Sequence, residues 1–151
     1  MAETKTLDVL SVKSGIIALS VNCAGTIPYG SLLWALAYKY PHVQRQYYTA
    51  ARENGIFGKA VLTKLTVKPE LSLAMVFAQR EYDTTKNAAN KVDENAFKAA
   101  VQRVIKAYPN TDIYVPQTSG RAGDNWPEIA AAVNSLPVAI VLPPETDKNS
   151  D

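Results

Sequence analysis

The chain has 151 residues, a length that allows one well-buried core but not two ordinary domains. Its hydrophobic content of 47% and charged content of 20% are typical of a folded globular protein. The net charge is +2 and the lysines and arginines are scattered, so nucleic acid is not an expected partner.

Two residue types narrow the possible chemistry further. Cys23 is the only cysteine and His42 the only histidine, which excludes an intrachain disulfide and argues against a cysteine or histidine metal site. The first residues lack the regions of a signal peptide, and no apolar run reaches the roughly 18 residues that span a bilayer. We therefore expect a soluble cytoplasmic protein with no metal, no cofactor and no membrane contact.

Two strands are predicted at the start of the chain. The first covers residues 6–12 and carries one acidic residue, Asp8. The second covers residues 16–21, an apolar run interrupted only by Ser20. Such a short run, bounded by turn residues, is typical of a strand buried on both faces.

A loop of small and polar residues, 22–31, follows the second strand and leads into a helix. Ser31 is placed to cap this helix, whose apolar positions are Leu32, Leu33, Leu36 and Tyr40. A loop of this kind lets backbone N–H groups approach an anion, and the start of the helix adds partial positive charge. The pattern indicates either a site for a phosphate-bearing ligand or an ordinary turn between strand and helix.

The middle of the chain predicts a second helix and a hairpin. Pro41 can occupy the first turn of the second helix. One side of that helix carries Val43, Tyr47, Ala50 and Ala51. Residues 59–67 and 71–78 have the pattern of two strands joined by a turn at residues 68–70.

The last part of the chain predicts two more helices and two more strands. A polar, loop-like segment at 79–92 precedes Asp93, which caps an amphipathic helix. The inner face of that helix is Phe97, Val101, Val104, Ile105 and Tyr108. A strand at 112–115 is followed by a second small-residue loop, and a strand at 138–142 closes the fold. Between them a helix has the apolar stripe Trp126, Ile129, Ala130, Val133 and Leu136.

The order of these elements predicts a three-layer α/β/α fold with a mixed central sheet, formed by one domain of residues 1–143. A flexible tail at 144–151 follows it. Small-residue loops come after the strands at 16–21 and 112–115. If these two strands are neighbours, both loops open at the same edge of the sheet, where α/β proteins bind ligands.

Several motifs occur in a specific order: VNCAG at 21–25, KYP at 39–41, FAQREY at 77–82, NAF at 95–97 and SGRAGDNW at 119–126. In this order and spacing the chain resembles the macrodomain family over nearly its whole length. The most similar branch contains the small ADP-ribose-1″-phosphate phosphatases and terminal ADP-ribose glycohydrolases of bacteria and phages. The resemblance implies a macrodomain fold with an ADP-ribose-type ligand in a cleft at the carboxyl-terminal edge of the sheet.

The resemblance also implies roles for individual residues. Asp8 matches the acidic residue that accepts a hydrogen bond from the adenine amino group, and Asn22 matches the asparagine that contacts the distal ribose. The loop around the ribose and phosphates is matched by Cys23, Ala24, Tyr29, Gly30, Ser31 and Leu32. The loop whose backbone amides hold the pyrophosphate is matched by Thr118, Ser119, Gly120, Arg121, Ala122 and Gly123.

The chain departs from the family pattern where the chemistry is expected. Tyr29 replaces the first glycine of a Gly-x-Gly motif, and a bulky ring there would suit a cyclised or conjugated ligand. The lysine of the glycohydrolase branch falls at Ala37, and Lys39 lies on another face of the helix. The acidic partner of that lysine aligns near Ala122, which leaves Asp124 as the nearest carboxylate. Binding is therefore favoured over hydrolysis.

Several candidate groups have a functional and an ordinary interpretation. Asp124 could orient a water for hydrolysis, or it could belong to the cap of the helix that begins near Trp126. Arg121 could clamp a phosphate or be a solvated loop residue. Cys23 could be a nucleophile or a packed small side chain. Tyr82 and the loop around it could cover a bound nucleotide.

The resemblance, with its departures, implies a protein that binds ADP-ribose, or a cyclic or conjugated derivative used as a signal. By sequestering it in the cytoplasm of a bacterium or a phage-infected host, the protein would counter bacterial immune signalling. One alternative is a hydrolase of ADP-ribose-1″-phosphate or of ADP-ribosylated substrates, with Asp124 as the catalytic residue. Another is a partner-binding module whose cleft has decayed.

Overall fold

The computed structural model describes residues 1–81, 91–118 and 125–144. In these ranges the elements are β1 (Glu3–Thr6), β2 (Gly15–Asn22), α1 (Leu32–Lys39), α2 (His42–Ala51), β3 (Ala60–Thr66), β4 (Leu71–Gln79), α3 (Glu94–Ala107), β5 (Ile113–Pro116), α4 (Trp126–Val133) and β6 (Ala139–Leu142). A short 3-10 helix spans Val9–Ser11. No helix in the described ranges has the length and apolarity that crossing a membrane requires.

The six strands form one mixed sheet in the order β1-β6-β5-β2-β4-β3. Every neighbouring pair is parallel except β3 and β4, which form the antiparallel hairpin expected from the sequence. Among the described residues, β1 is the first strand and its one strand partner is β6, the last of the six. The predicted mixed sheet is therefore confirmed.

Helices cover both faces of the sheet. The side chains of β2 accordingly alternate between two apolar clusters, one on each face. Ile17, with its neighbours at every second position, packs in the cluster that contains α1 and α2. Ile16 packs in the cluster that contains α3 and α4. The predicted strand buried on both faces is thus the middle of a three-layer α/β/α fold.

The first strand lies earlier than residues 6–12, the range predicted for it. Glu3–Thr6 form β1, and Asp8 then caps the 3-10 helix by accepting a hydrogen bond from the Leu10 amide at 3.0 Å. The Ser11 hydroxyl also donates to the Asp8 carbonyl at 2.6 Å. These local hydrogen bonds compete with strand pairing, so Val9 packs into the core from the 3-10 helix rather than from a strand.

The predicted helix caps are present. The Ser31 hydroxyl accepts from the Trp34 amide at 3.1 Å, and the Asp93 carboxylate accepts from the Ala96 amide at 2.9 Å. The prediction that Tyr108 lies on the buried inner face of α3 was wrong. Tyr108 is 43% exposed, because α3 ends at Ala107 and Tyr108 is the cap that follows it.

Candidate functional site

The carboxyl ends of five parallel strands meet at one edge of the sheet. β2 and β5 are neighbours, with Ile16 opposite Ile113 and Ile17 opposite Tyr114. The segments that follow these two strands therefore leave the same edge, as expected. Thr118 is described at this edge. The remaining residues assigned to the second loop, Ser119, Gly120, Arg121, Ala122, Gly123 and Asp124, lie outside the described residues, as does Tyr82.

The first loop is held from inside by Asn22, whose side chain is buried. Its Oδ1 atom accepts from the amides of Ala24 at 3.1 Å and Thr26 at 3.4 Å. Its Nδ2 atom donates to the Thr26 carbonyl at 2.8 Å. The family resemblance assigns Asn22 to the distal ribose, but most of the hydrogen bonds that its side chain can form are made within the loop.

The side chain of Tyr47 in α2 also contacts the first loop, through Asn22. Its ring is fully buried and lies parallel to Phe77, with 5.9 Å between the ring centres. Its hydroxyl is 2.6 Å from Asn22 Oδ1 and 2.8 Å from the Asn22 carbonyl. Burial raises the pKa of Tyr47 above its usual range, and hydrogen bonds to the backbone of Thr26 and Gly25 lower it only in part. The hydroxyl is therefore a neutral donor at physiological pH.

The start of α1 presents backbone donors that no other described residue uses. Ser31 caps the Trp34 amide and donates its own proton to the Pro28 carbonyl at 2.6 Å. Within the described part of the chain, the amides of Leu32 and Leu33 have no hydrogen-bond partner. Free N–H groups at the positive end of a helix form a binding site for an anion.

Asp8 lies at the same edge, after β1. One carboxylate oxygen accepts from Leu10, and among the described residues the other oxygen has no partner. β1 and β2 are three positions apart in the sheet, so at a strand spacing of about 4.8 Å they are separated by about 14 Å. The candidate residues therefore line a stretch of edge long enough for an extended ligand rather than a single phosphate.

The Tyr29 ring rests against α1. It is 79% exposed and 5.0 Å from the Trp34 ring, which in turn stacks on Tyr38 at 5.8 Å. Of these three aromatic residues, only Tyr29 was recognised from the sequence as a candidate for ligand contact. The four-residue spacing of Trp34 and Tyr38 was the available signal that the three rings form one row.

Cys23 is half-buried, and its amide donates to the Gln79 carbonyl at 2.7 Å. Burial raises the pKa of the Cys23 thiol, and the positive charge of Arg80 offsets this only in part. The thiol is therefore protonated at neutral pH. This environment favours the packed interpretation of Cys23 over the nucleophilic one.

We expect alkylation of Cys23 by iodoacetamide to be slower at pH 7.5 than alkylation of glutathione. The raised pKa leaves less thiolate, which is the reactive form. Because steric protection would also slow the reaction, the rate should be followed by mass spectrometry from pH 6 to 10. The inflection for Cys23 should lie above that for glutathione, and an inflection below it would contradict this environment.

A cleft of about 310 Å³ lies between the end of β4 and the start of α3. The guanidinium carbon of Arg80 lies 3.7 Å from the centre of the Phe57 ring at its wall. Within the described residues Arg80 forms no hydrogen bond or ion pair, so its N–H edge is available to a ligand. The sequence did not reveal a role for this arginine.

Asn125 is another residue whose role the sequence did not reveal. Its side chain is buried and does not cap α4. Its amide oxygen accepts from the Val92 amide and its amide nitrogen donates to the Val92 carbonyl, both at 2.9 Å. This reciprocal pair joins the start of α4 to the segment before α3.

In the described ranges, no group of three histidine, cysteine, aspartate or glutamate residues could hold a metal ion.

Comparison with known proteins identifies the fold. No protein-family model matches the chain, and no curated protein sequence matches it. Among solved structures, the macrodomain of Mycobacterium tuberculosis DarG aligns with a TM-score of 0.72 and 20% identity, over 97% of this chain and 99% of that one.

Two further structures agree. The macrodomain of Thermus aquaticus DarG aligns with a TM-score of 0.68 and 15% identity, over 97% of this chain and 99% of that one. A macrodomain protein from Streptomyces coelicolor aligns with a TM-score of 0.70 and 19% identity, over 92% of this chain and 98% of that one. The chain therefore has the macrodomain fold.

Proposed function

We propose that this chain, whose fold is that of macrodomains, binds an ADP-ribose-type nucleotide at the carboxyl edge of its sheet. The observation that carries the proposal is the start of α1, where the amides of Leu32 and Leu33 have no partner among the described residues. They lie after β2, whose neighbour in the sheet is β5, and Thr118 lies just after the end of β5. A doubly charged pyrophosphate fits such a place, because helix dipoles and backbone donors bind anions without lysines.

The adenine end of the ligand belongs near Asp8 in this proposal. The free oxygen of its carboxylate can accept a hydrogen bond from the adenine amino group. The separation of about 14 Å between β1 and β2 leaves room for the pyrophosphate between adenine and the first loop. One extended ligand can therefore contact both Asp8 and the start of α1.

We further propose that the ligand is held rather than hydrolysed. Ala37 occupies the position of the family's lysine, and Lys39 does not replace it, because its ammonium group donates to the Leu10 carbonyl at 2.6 Å. The cleft beside Arg80 and Phe57 supports a ligand with an extra group, such as a cyclic or conjugated derivative used as a signal. Sequestering such a signal would counter bacterial immune signalling.

Calorimetry with ADP-ribose, its cyclic isomers and its amino-acid conjugates tests the proposal. We expect at least one of them to bind and to be recovered intact, by mass spectrometry, after heat denaturation of the complex. Turnover of ADP-ribose-1″-phosphate or of an ADP-ribosylated substrate would instead establish the hydrolase alternative. The absence of binding to every ligand would overturn the proposal and favour a partner-binding module.

Replacing Asp8 by alanine should weaken binding of the adenine nucleotide by about 1 kcal/mol, or roughly fivefold, since an exposed hydrogen bond lies at the lower end of the usual range. Asp8→Asn has a single acceptor oxygen, which the Leu10 amide occupies, and its NH₂ group would face the adenine amino group, so the loss of affinity should be at least as large. Asp112, which lies at the opposite edge of the sheet, supplies the control Asp112→Ala. Equal losses in Asp8→Ala and Asp112→Ala would contradict the placement of adenine.

A further inference from the structure

We infer that Asn22 and Tyr47 are positioning residues, which set the shape of the first loop before any ligand arrives. The inference rests on the proposed function only in its consequence for ADP-ribose. It gives Asn22 a role different from the ribose contact that the family resemblance implies. It also gives a role to Tyr47, which the sequence placed merely on the apolar side of α2.

The hydrogen bonds of Asn22 support this role. Its Oδ1 atom lies within hydrogen-bond distance of three donors, at 2.6 Å from Tyr47, 3.1 Å from Ala24 and 3.4 Å from Thr26. Its Nδ2 atom donates to the Thr26 carbonyl, and the residue is 3% exposed. An oxygen with three donors has no free lone pair for a ribose hydroxyl.

Tyr47 fixes the position of this amide. Its hydroxyl has one proton and three oxygen atoms within reach, of which Asn22 Oδ1 is the nearest at 2.6 Å. The ring cannot shift easily, because it is fully buried and stacked on Phe77. α2 therefore holds the end of β2 through one buried hydroxyl group.

The backbone N–H groups of the first loop and of the start of α1 therefore fall into two sets. The amides of Ala24 and Thr26 turn inward to Asn22, whereas those of Leu32 and Leu33 have no partner in the described ranges. A loop ordered in advance loses less conformational entropy when the ligand binds. Loosening the inner hydrogen bonds should thus weaken ligand binding without removing any atom that touches the ligand.

Tyr47→Phe tests this role, since it removes one oxygen atom and keeps the ring. By amide hydrogen exchange without ligand, we expect Ala24 and Thr26 to exchange at least tenfold faster, while α3 is unchanged. The affinity for ADP-ribose should fall roughly fivefold. The control is Tyr48→Phe, on the same helix and half-buried, which should leave both quantities unchanged.

A second variant, Asn22→Asp, keeps the size of the side chain but cannot donate to the Thr26 carbonyl. It should also accelerate exchange in the loop of the ligand-free protein. A residue that only contacts ligand would leave that exchange unchanged, so unchanged exchange in both variants overturns the inference. Faster exchange in a protein that binds neither ADP-ribose nor its cyclic isomers and conjugates would support the positioning role and overturn the proposed function alone. If Tyr47→Phe does not fold, exchange in Asn22→Asp decides.

Discussion

Asn125→Ala should lower the free energy of unfolding by about 3 kcal/mol, although Asn125 belongs to no apolar cluster. The substitution removes two hydrogen bonds of 2.9 Å and leaves the backbone N–H and carbonyl of Val92 without partners. Val92 is 4% exposed, so water cannot replace the lost contacts. Each unsatisfied buried group costs about 1–3 kcal/mol. Urea denaturation of wild type and variant measures the difference.

Asn134→Ala is the matched control, since Asn134 is an exposed residue at the other end of α4. Its loss should change the free energy of unfolding by less than about 0.5 kcal/mol, as is usual for surface positions. If the two variants unfold at the same urea concentration, the Val92 pair contributes nothing to stability.

Gly15→Ala should be of similar severity, for a steric reason. Gly15 has φ of +109°, and a Cβ atom there would lie 2.7 Å from the Asp112 carbonyl oxygen and 3.2 Å from the Tyr114 ring. Relief would require β2 to separate from β5, which are the two strands that bring the loops together. We expect a loss of about 3 kcal/mol in thermal or urea unfolding, from backbone strain and the clash together.

Gly55→Ala separates the two causes. Gly55 also has a positive φ, +74°, but a Cβ atom there would meet no atom within 4 Å. Only the backbone strain applies, so the expected loss is about 1 kcal/mol. Equal losses at both glycines would show that the contact with Asp112 can be relieved at no cost.

The layers of this fold could be predicted because their signals are local. The apolar run of β2, the cap at Ser31 and the stripe of α3 each occupy one stretch of sequence. β1 was placed incorrectly because strand propensity at Val9 competed with the capping ability of Asp8, and the local hydrogen bond prevailed.

The support of the candidate site could not be predicted in the same way. The contact between Asn22 and Tyr47 joins residues 25 positions apart, and that between Val92 and Asn125 joins residues 33 apart. No periodic pattern encodes such pairs. A tyrosine on an apolar stripe predicts burial, but the partner of its hydroxyl depends on how α2 packs against β2.

The pairing of β1 with β6 has a consequence for synthesis of the protein. Of the strands in the described ranges, β6 alone pairs with β1, and residues 139–142 leave the ribosome after the other described strands. All four of its residues are exposed, and Lys5 forms an ion pair with Glu3 at 3.4 Å. A charged strand of this kind presents little apolar surface for aggregation while it remains unpaired. The other five strands can assemble first, and β1 can dock on β6 after translation has passed the last strand.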